Sequence, residues 1–184
     1  MRVTYRQFRP LSVIHVRSMG PYRTSCGEAW NRLNHWLDQH GIRQRVKQGY
    51  GIFRDDPSIT EPALLRYDAC VPAFLDIDVE LTEGIGRQTF AGGAYAVHTH
   101  VGSHGATGEI FSQLRRDVVP RRGLSLDDAR PYVAIYLNDP TMTREAHRRT
   151  ELCLPVVPIC MPLAGNDDVT GEAEIESRVV PLRA

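Results

Sequence analysis

The sequence has no surplus of either charge and no long apolar run. Its 22 basic residues balance 22 acidic ones, so binding driven by phosphate neutralisation leaves no global footprint, and no direct nucleic-acid partner is expected. No window approaches the roughly 18 apolar residues of a membrane span. The opening MRVTYRQFRPLSVIHV has no apolar core of signal-peptide length. The expected setting is therefore cytoplasmic, with no membrane partner. Cysteine is sparse: Cys26, Cys70, Cys153 and Cys160 show no C-x-x-C spacing, which argues against a zinc ribbon or a disulfide framework and for reduced, partly buried thiols. No Ser-His-Asp or Cys-His nucleophile signature stands out.

What the sequence does contain is a duplication. GIFRDDPSITEPALLRYDACVPA (51–73) lies over AIYLNDPTMTREAHRRTELCLPV (134–156) without a gap, pairing Asp56 with Asp139, Pro57 with Pro140, Asp68 with Glu151 and Cys70 with Cys153 at a constant offset of 83. Upstream, VIHVRSMGPYRTSCGEAWNRL lies over AVHTHVGSHGATGEIFSQL once the loop after the strand is shortened, matching Gly20 with Gly102 and Glu28 with Glu109. The chain thus divides into halves at about 1–76 and 77–157, with a tail over 158–184 in which Ala173 and Ile175 between glutamates suggest a short strand or arm.

Each half reads strand, helix, strand, strand. In the first, Ser25 and Glu28 form a capping-box pattern, and Ala29, Trp30, Leu33 and Leu37 recur at helical spacing until Gly41. In the second, Ile110, Phe111, Leu114 and Val118 make the matching stripe, ended by Pro120 and Gly123. The strands run into turns at Asp55-Asp56-Pro57 and Asn138-Asp139-Pro140, whose side chains are expected to bond nearby backbone N–H groups.

His98 and His100, spaced to share a strand face, resemble half of a metal chelate. No recognisable motif supplies a third ligand, so the reading is a strand-end pair lining or flanking a groove, with no metal and no cofactor. Strand parity sorts the remaining candidates. Leu152, Leu154 and Val156 share one face, as do Val133, Ile135 and Leu137, and this aliphatic set is expected to pack on the helices. The opposite face then carries Tyr132, Tyr136, Glu151 and Cys153, with Phe53, Asp68 and Cys70 at the matching first-half positions. Aromatic rings around a single acid suit a hydrophobic ligand, cationic ones included.

The glycine turn and helix, the Asp-Pro turn and the closing strand, present twice in the same order over residues 1–157, resemble the GyrI-like small-molecule-binding domain, or bacterial effector-binding domain. The resemblance implies an α+β fold: a tandem βαββ repeat with pseudo-twofold symmetry, one antiparallel sheet carrying two helices on one face, and a ligand groove between the halves. It also implies that Glu151 is the pocket acid. The domain begins at residue 1, so a stand-alone copy with no DNA-reading region is expected. Where Gly20-Pro21-Tyr22 stands in the first half, the second has Gly102-Ser103-His104, which alters the pocket edge that Tyr22 would form. Three functions fit: a small-molecule sensor or sequestering module, using Glu151, Tyr136, Tyr132, Phe53, Asp68, Cys153 and His98; a hydrolase of strained, DNA-alkylating natural products with Glu151 as general acid or base; and a protein that interacts with gyrase or a regulator.

Overall fold

The computed structural model describes residues 1–73, 81, 84–118 and 123–158. Pro120, the tail from residue 159 with Cys160, Ala173 and Ile175, and the boundary near residue 76 lie outside the described residues. The described chain forms nine strands and two helices, an α+β fold. Eight strands follow the order β1-β6-β9-β8-β3-β4-β2-β5, every neighbour antiparallel, and β7 (Leu124–Leu126) pairs with the end of β9. The others are β1 (Thr4–Phe8), β2 (Leu11–Met19), β3 (Gly49–Phe53), β4 (Arg66–Pro72), β5 (Ile85–Phe90), β6 (Gly93–Val101), β8 (Tyr132–Tyr136) and β9 (Arg149–Pro158).

Three strands go beyond the strand-helix-strand-strand reading: β7, which extends the end of β9, and two that cross between the halves. β1 precedes β2 in the chain but pairs with β6, and β5 precedes β6 but pairs with β2. Each half is therefore edged by a strand that comes from the other half and is held by its own outer strand. β3 and β8 meet in the middle, with Gly49 opposite Tyr136, Gly51 opposite Ala134 and Phe53 opposite Tyr132.

Helix α1 (Tyr22–Gln39) starts directly after Pro21, without a side-chain cap. The expected capping role of Ser25 is corrected: Ser25 is fully buried inside the helix, and its hydroxyl donates to the Gly20 carbonyl at 3.1 Å. The other end is as expected. Gly41 adopts φ of 65°, its N–H donates to the Asp38 carbonyl and that of Ile42 to the Leu37 carbonyl, the paired bonds of a left-handed helix stop that only glycine adopts cheaply. Ala29, Leu33, Trp36 and Leu37 pack on Ile14, Val16, Tyr67, Ala69 and Val71 of β2 and β4. Helix α2 (Thr107–Gln113) is shorter, widens into a π-type turn over Leu114–Val118, and sets Phe111 and Leu114 on Ala96, Ala134, Leu152, Leu154 and Val156.

The Asp-Pro turns form as expected. Asp56 Oδ1 accepts from the Ser58 N–H at 2.8 Å and its hydroxyl at 2.7 Å; Asp139 Oδ1 accepts from the Thr141 N–H at 2.8 Å and its hydroxyl at 2.6 Å. Asp55 accepts from the Arg66 N–H and Asn138 from the Arg149 N–H. Each of these bonds has its counterpart 83 residues on. The clasp that fixes each glycine turn also recurs, its acceptor 83 residues on and its donor 82: the Gly20 N–H donates to the Leu65 carbonyl and the Gly102 N–H to the Arg148 carbonyl, both at 2.9 Å.

Candidate functional site

Side chains directly opposite one another in an antiparallel pair point to the same face. β8 pairs Ala134 with Leu152 and Ile135 with Glu151, so Tyr132, Ala134 and Tyr136 share the helix face with Leu152 and Leu154. The expectation of a wholly aliphatic helix face is thereby corrected. The same register in β3 and β4, with Phe53 opposite Tyr67 and Ile52 opposite Asp68, brings Phe53 and Tyr67 to the helix face.

There the two helices stand apart, and a groove of about 950 Å³ runs between them over the β3–β8 seam. That volume falls in the range of small-molecule sites, about 300–1,000 Å³. Its floor and walls are aromatic. Trp30 and Tyr136 meet edge to face at 5.4 Å between centroids, His104 packs on the other side of Tyr136 at 5.1 Å, and Phe53 contacts Tyr22 at 5.0 Å and Phe111 at 5.5 Å. Two glycines of β3 clear the space: a Cβ on Gly49 would collide with the Trp30 ring, and one on Gly51 with the hydroxyls of Tyr67 and Tyr136. Those hydroxyls lie 3.0 Å apart, and Trp30 Nε1 donates to that of Tyr67 at 2.9 Å.

Burial sets the protonation of these groups. It pushes Tyr136 up to about 12 and Tyr67 well above the ordinary phenol value, and it pushes the Cys26 thiol up to about 12. Burial, helped by Arg148, lowers His104 and favours the neutral ring. At neutral pH the groove's phenols and thiol keep their protons. The carboxylates along the rim are occupied. Arg66 holds Asp55 through two side-chain bonds, at 2.7 and 3.0 Å, and lowers its pKa. For Asp56, burial pushes the carboxyl up, but Ser58 and Arg115 outweigh it.

The other sheet face is closed by the protein's own arginines. Asp68 is fully buried. Its carboxylate accepts from Arg17 Nε at 2.6 Å and Nη2 at 2.8 Å, from Arg54 Nε at 2.8 Å and from Gln88 at 3.1 Å. Burial alone would raise its pKa; the bonds from Arg17 and Gln88 and the charge of Arg54 bring it below the ordinary value. Glu151, at the matching position, pairs with Arg6 of β1. Around them pack Tyr95, Val97, Val133, Ile135 and Cys153 in one cluster and Val13, Ile52 and Cys70 in another.

Of the residues singled out from sequence, Phe53, Tyr132 and Tyr136 come together in the groove. Glu151, Asp68 and Cys153 do not: they lie across the sheet, and Glu151 is neither among the aromatic rings nor without a cationic partner, which removes the premise of its acid–base role. His98 is outside the groove lining, its Nδ1 2.9 Å from the Arg2 carbonyl, and His100 Nε2 is 3.0 Å from the Ser103 carbonyl. No cluster of three metal-ligating side chains occurs among the described residues. Trp30, Phe111 and His104 were missed as groove residues. His104 occupies the place matching Tyr22, and there it packs on Tyr136 while the Tyr22 hydroxyl donates to the Asp55 carbonyl at 2.7 Å.

The family model described as the GyrI-like small molecule binding domain matches residues 1–157. A DNA gyrase inhibitor of Yersinia enterocolitica is 28% identical over 137 residues, 71% of this chain and 83% of the relative. Among solved structures, EcmrR in a complex with DNA superposes with a TM-score of 0.68 at 12% identity; the match takes in 85% of this chain but only 57% of EcmrR. SAV2435 bound to tetraphenylphosphonium superposes with a TM-score of 0.57, again at 12% identity, over 85% of this chain and 94% of that one. At these identities the structural likeness concerns the fold.

Proposed function

The chain belongs to the GyrI-like small-molecule-binding family, through residues 1–157, and on that basis we propose that the groove between α1 and α2 binds one hydrophobic, ring-bearing small molecule, for sensing or sequestration. The observation that carries this reading is the aromatic lining of Trp30, Tyr136, His104, Phe53 and Phe111, cleared by Gly49 at the start and Gly51 in the middle of β3. Glycine weakens a strand interior, as at Gly51, and at both positions the missing side chain leaves room for rings. The occupant of SAV2435, a cation with four phenyl groups, has the bulk that such a groove accepts. High phenol and thiol pKa values supply hydrogen-bond donors and no ready nucleophile, which favours binding over turnover.

We also read the two halves as tandem βαββ repeats related by a pseudo-twofold axis at the β3–β8 seam. The hydrogen bonds that recur at a spacing of 83 residues support this. In that reading the groove is the seam between copies, and its asymmetry comes from Tyr22 and Trp30 in one copy against His104 in the other.

Titration calorimetry with a panel of polycyclic and multi-phenyl compounds tests the binding reading. At least one compound should bind at one per chain, and Trp30→Ala should weaken it by tenfold or more, the scale of a lost aromatic contact. A panel with no saturable binder, or one whose binders ignore Trp30→Ala, would overturn it.

A further inference from the structure

The groove's charges bear on which hydrophobic ligands it takes, given that it binds one at all. Its rim carries Asp55, Asp56 and Asp139 on one side of the ledger, and Arg23, Arg43, Lys47 and Arg115 on the other. Each carboxylate is already engaged: Asp55 by Arg66, Asp56 by Arg115 and Ser58, and Asp139 by the N–H and hydroxyl of Thr141, with the Arg43 charge near enough to lower its pKa. Two of the cations are engaged as well, Arg115 by Asp56 and Arg43 by Asp38 at 3.2 Å. Arg23, in the first turn of α1, and Lys47, just before β3, have no hydrogen-bond or ion-pair partner among the described residues. The acid expected to serve a cationic ligand, Glu151, lies on the other face with Arg6.

From this we infer that the groove selects an amphipathic aromatic anion, a carboxylate, sulfonate or comparable charge on a ring system, over a lipophilic cation of the same shape. Ring faces do attract cations. Here, however, a cation entering between Trp30 and Tyr136 would meet no unengaged carboxylate among the described residues and would approach Lys47, whereas an anion gains a partner that now faces solvent. Unit charges act over several ångströms in a partly desolvated groove, and their effect fades with salt.

Tetraphenylborate and tetraphenylphosphonium, nearly identical in shape and opposite in charge, separate the terms. In calorimetric titrations on the full chain at low salt, tetraphenylborate should bind at one per chain and at least about tenfold tighter than the phosphonium. Lys47→Gln and Arg23→Gln should each weaken the borate by about threefold or more, the Coulomb scale of one charge at a groove mouth, and leave the phosphonium equal or tighter. Arg87→Gln, an exposed position on β5 away from the groove, controls for overall charge and should leave the ratio unchanged. Equal or tighter phosphonium binding, or a borate preference that survives Lys47→Gln together with Arg23→Gln, would overturn the inference while leaving the binding groove intact. If neither ion binds at one per chain, or both ignore Trp30→Ala, the binding reading fails, and the inference with it.

Discussion

The two faces of the sheet are built from the same kinds of residue and end in opposite states. Both carry aromatic rings and acids. On the far face, Arg17, Arg54 and Arg6 reach across the strands and close over Asp68 and Glu151, and Phe8 and Phe90 pack against Tyr95 at 5.4 and 5.9 Å. On the helix face, Gly49 and Gly51 keep the floor free of side chains, so the rings face an open groove. An acid on a sheet thus says little by itself about ligands; whether the protein supplies its own cation decides.

Three substitutions can break that comparison. The largest effect is expected for Asp68→Ala. Removing a fully buried carboxylate leaves Arg17 and Arg54 facing each other, and the loss of a buried pair's partner costs about 3 kcal/mol, tempered because both arginines are partly exposed. Urea unfolding should record it, with ligand affinity unchanged. The same variant has a signature in acid. Because the folded state holds Asp68 below the ordinary carboxyl value, its contribution is complete above the unfolded pKa of about 3.9 and is lost as pH falls through the lower folded value. Asp68→Ala should therefore flatten the fall in unfolding midpoint below about pH 4. A variant as stable as the wild type would make the far-face network incidental.

Gly51→Val comes next. Its side chain would press on the Tyr67 and Tyr136 hydroxyls, and overpacking a filled site costs about 2 kcal/mol. Unlike Asp68→Ala, it should also weaken ligand by tenfold or more, read by calorimetry. Stability and affinity both unchanged would mean that the glycines clear nothing. The smallest effect belongs to Glu151→Gln. Its partner Arg6 is 41% exposed, and such pairs contribute about 0–1 kcal/mol. Neither the melting temperature nor the affinity for a groove ligand should move appreciably; a large loss of affinity would return Glu151 to the site.

Much of this fold was legible in the sequence. The two helices, the glycine stop at Gly41 and both Asp-Pro turns follow from local spacing. What escaped was relational. Alternation in VAIYLN and TELCLPV says which residues share a face within each strand, but which faces coincide depends on register, and a slip of one residue inverts the answer. With Ile135 opposite Glu151, even-numbered residues of both strands face the helices, so Tyr136 parts from Glu151. One signal could have settled this early. Gly49 and Gly51 alternate with Tyr50 and Ile52 and share parity with Phe53, marking the face on which β3 must make room. The crossed strands β1 and β5 were illegible for a different reason: their partners lie in the other half, and no local pattern encodes that.

The central claim, that ligand enters the helix-face groove, can be read from one tryptophan. The chain has two, Trp30 lining the groove and Trp36 buried beneath α1. Among the described residues Trp36 Nε1 has no hydrogen-bond partner, so Trp36→Phe sacrifices no described bond and leaves Trp30 as the sole tryptophan reporter. Titrating this variant with a calorimetrically verified one-per-chain ligand should quench or shift the Trp30 emission along the same saturation curve as the heat. Saturating heat with an unchanged Trp30 spectrum would place the ligand elsewhere and contradict the account.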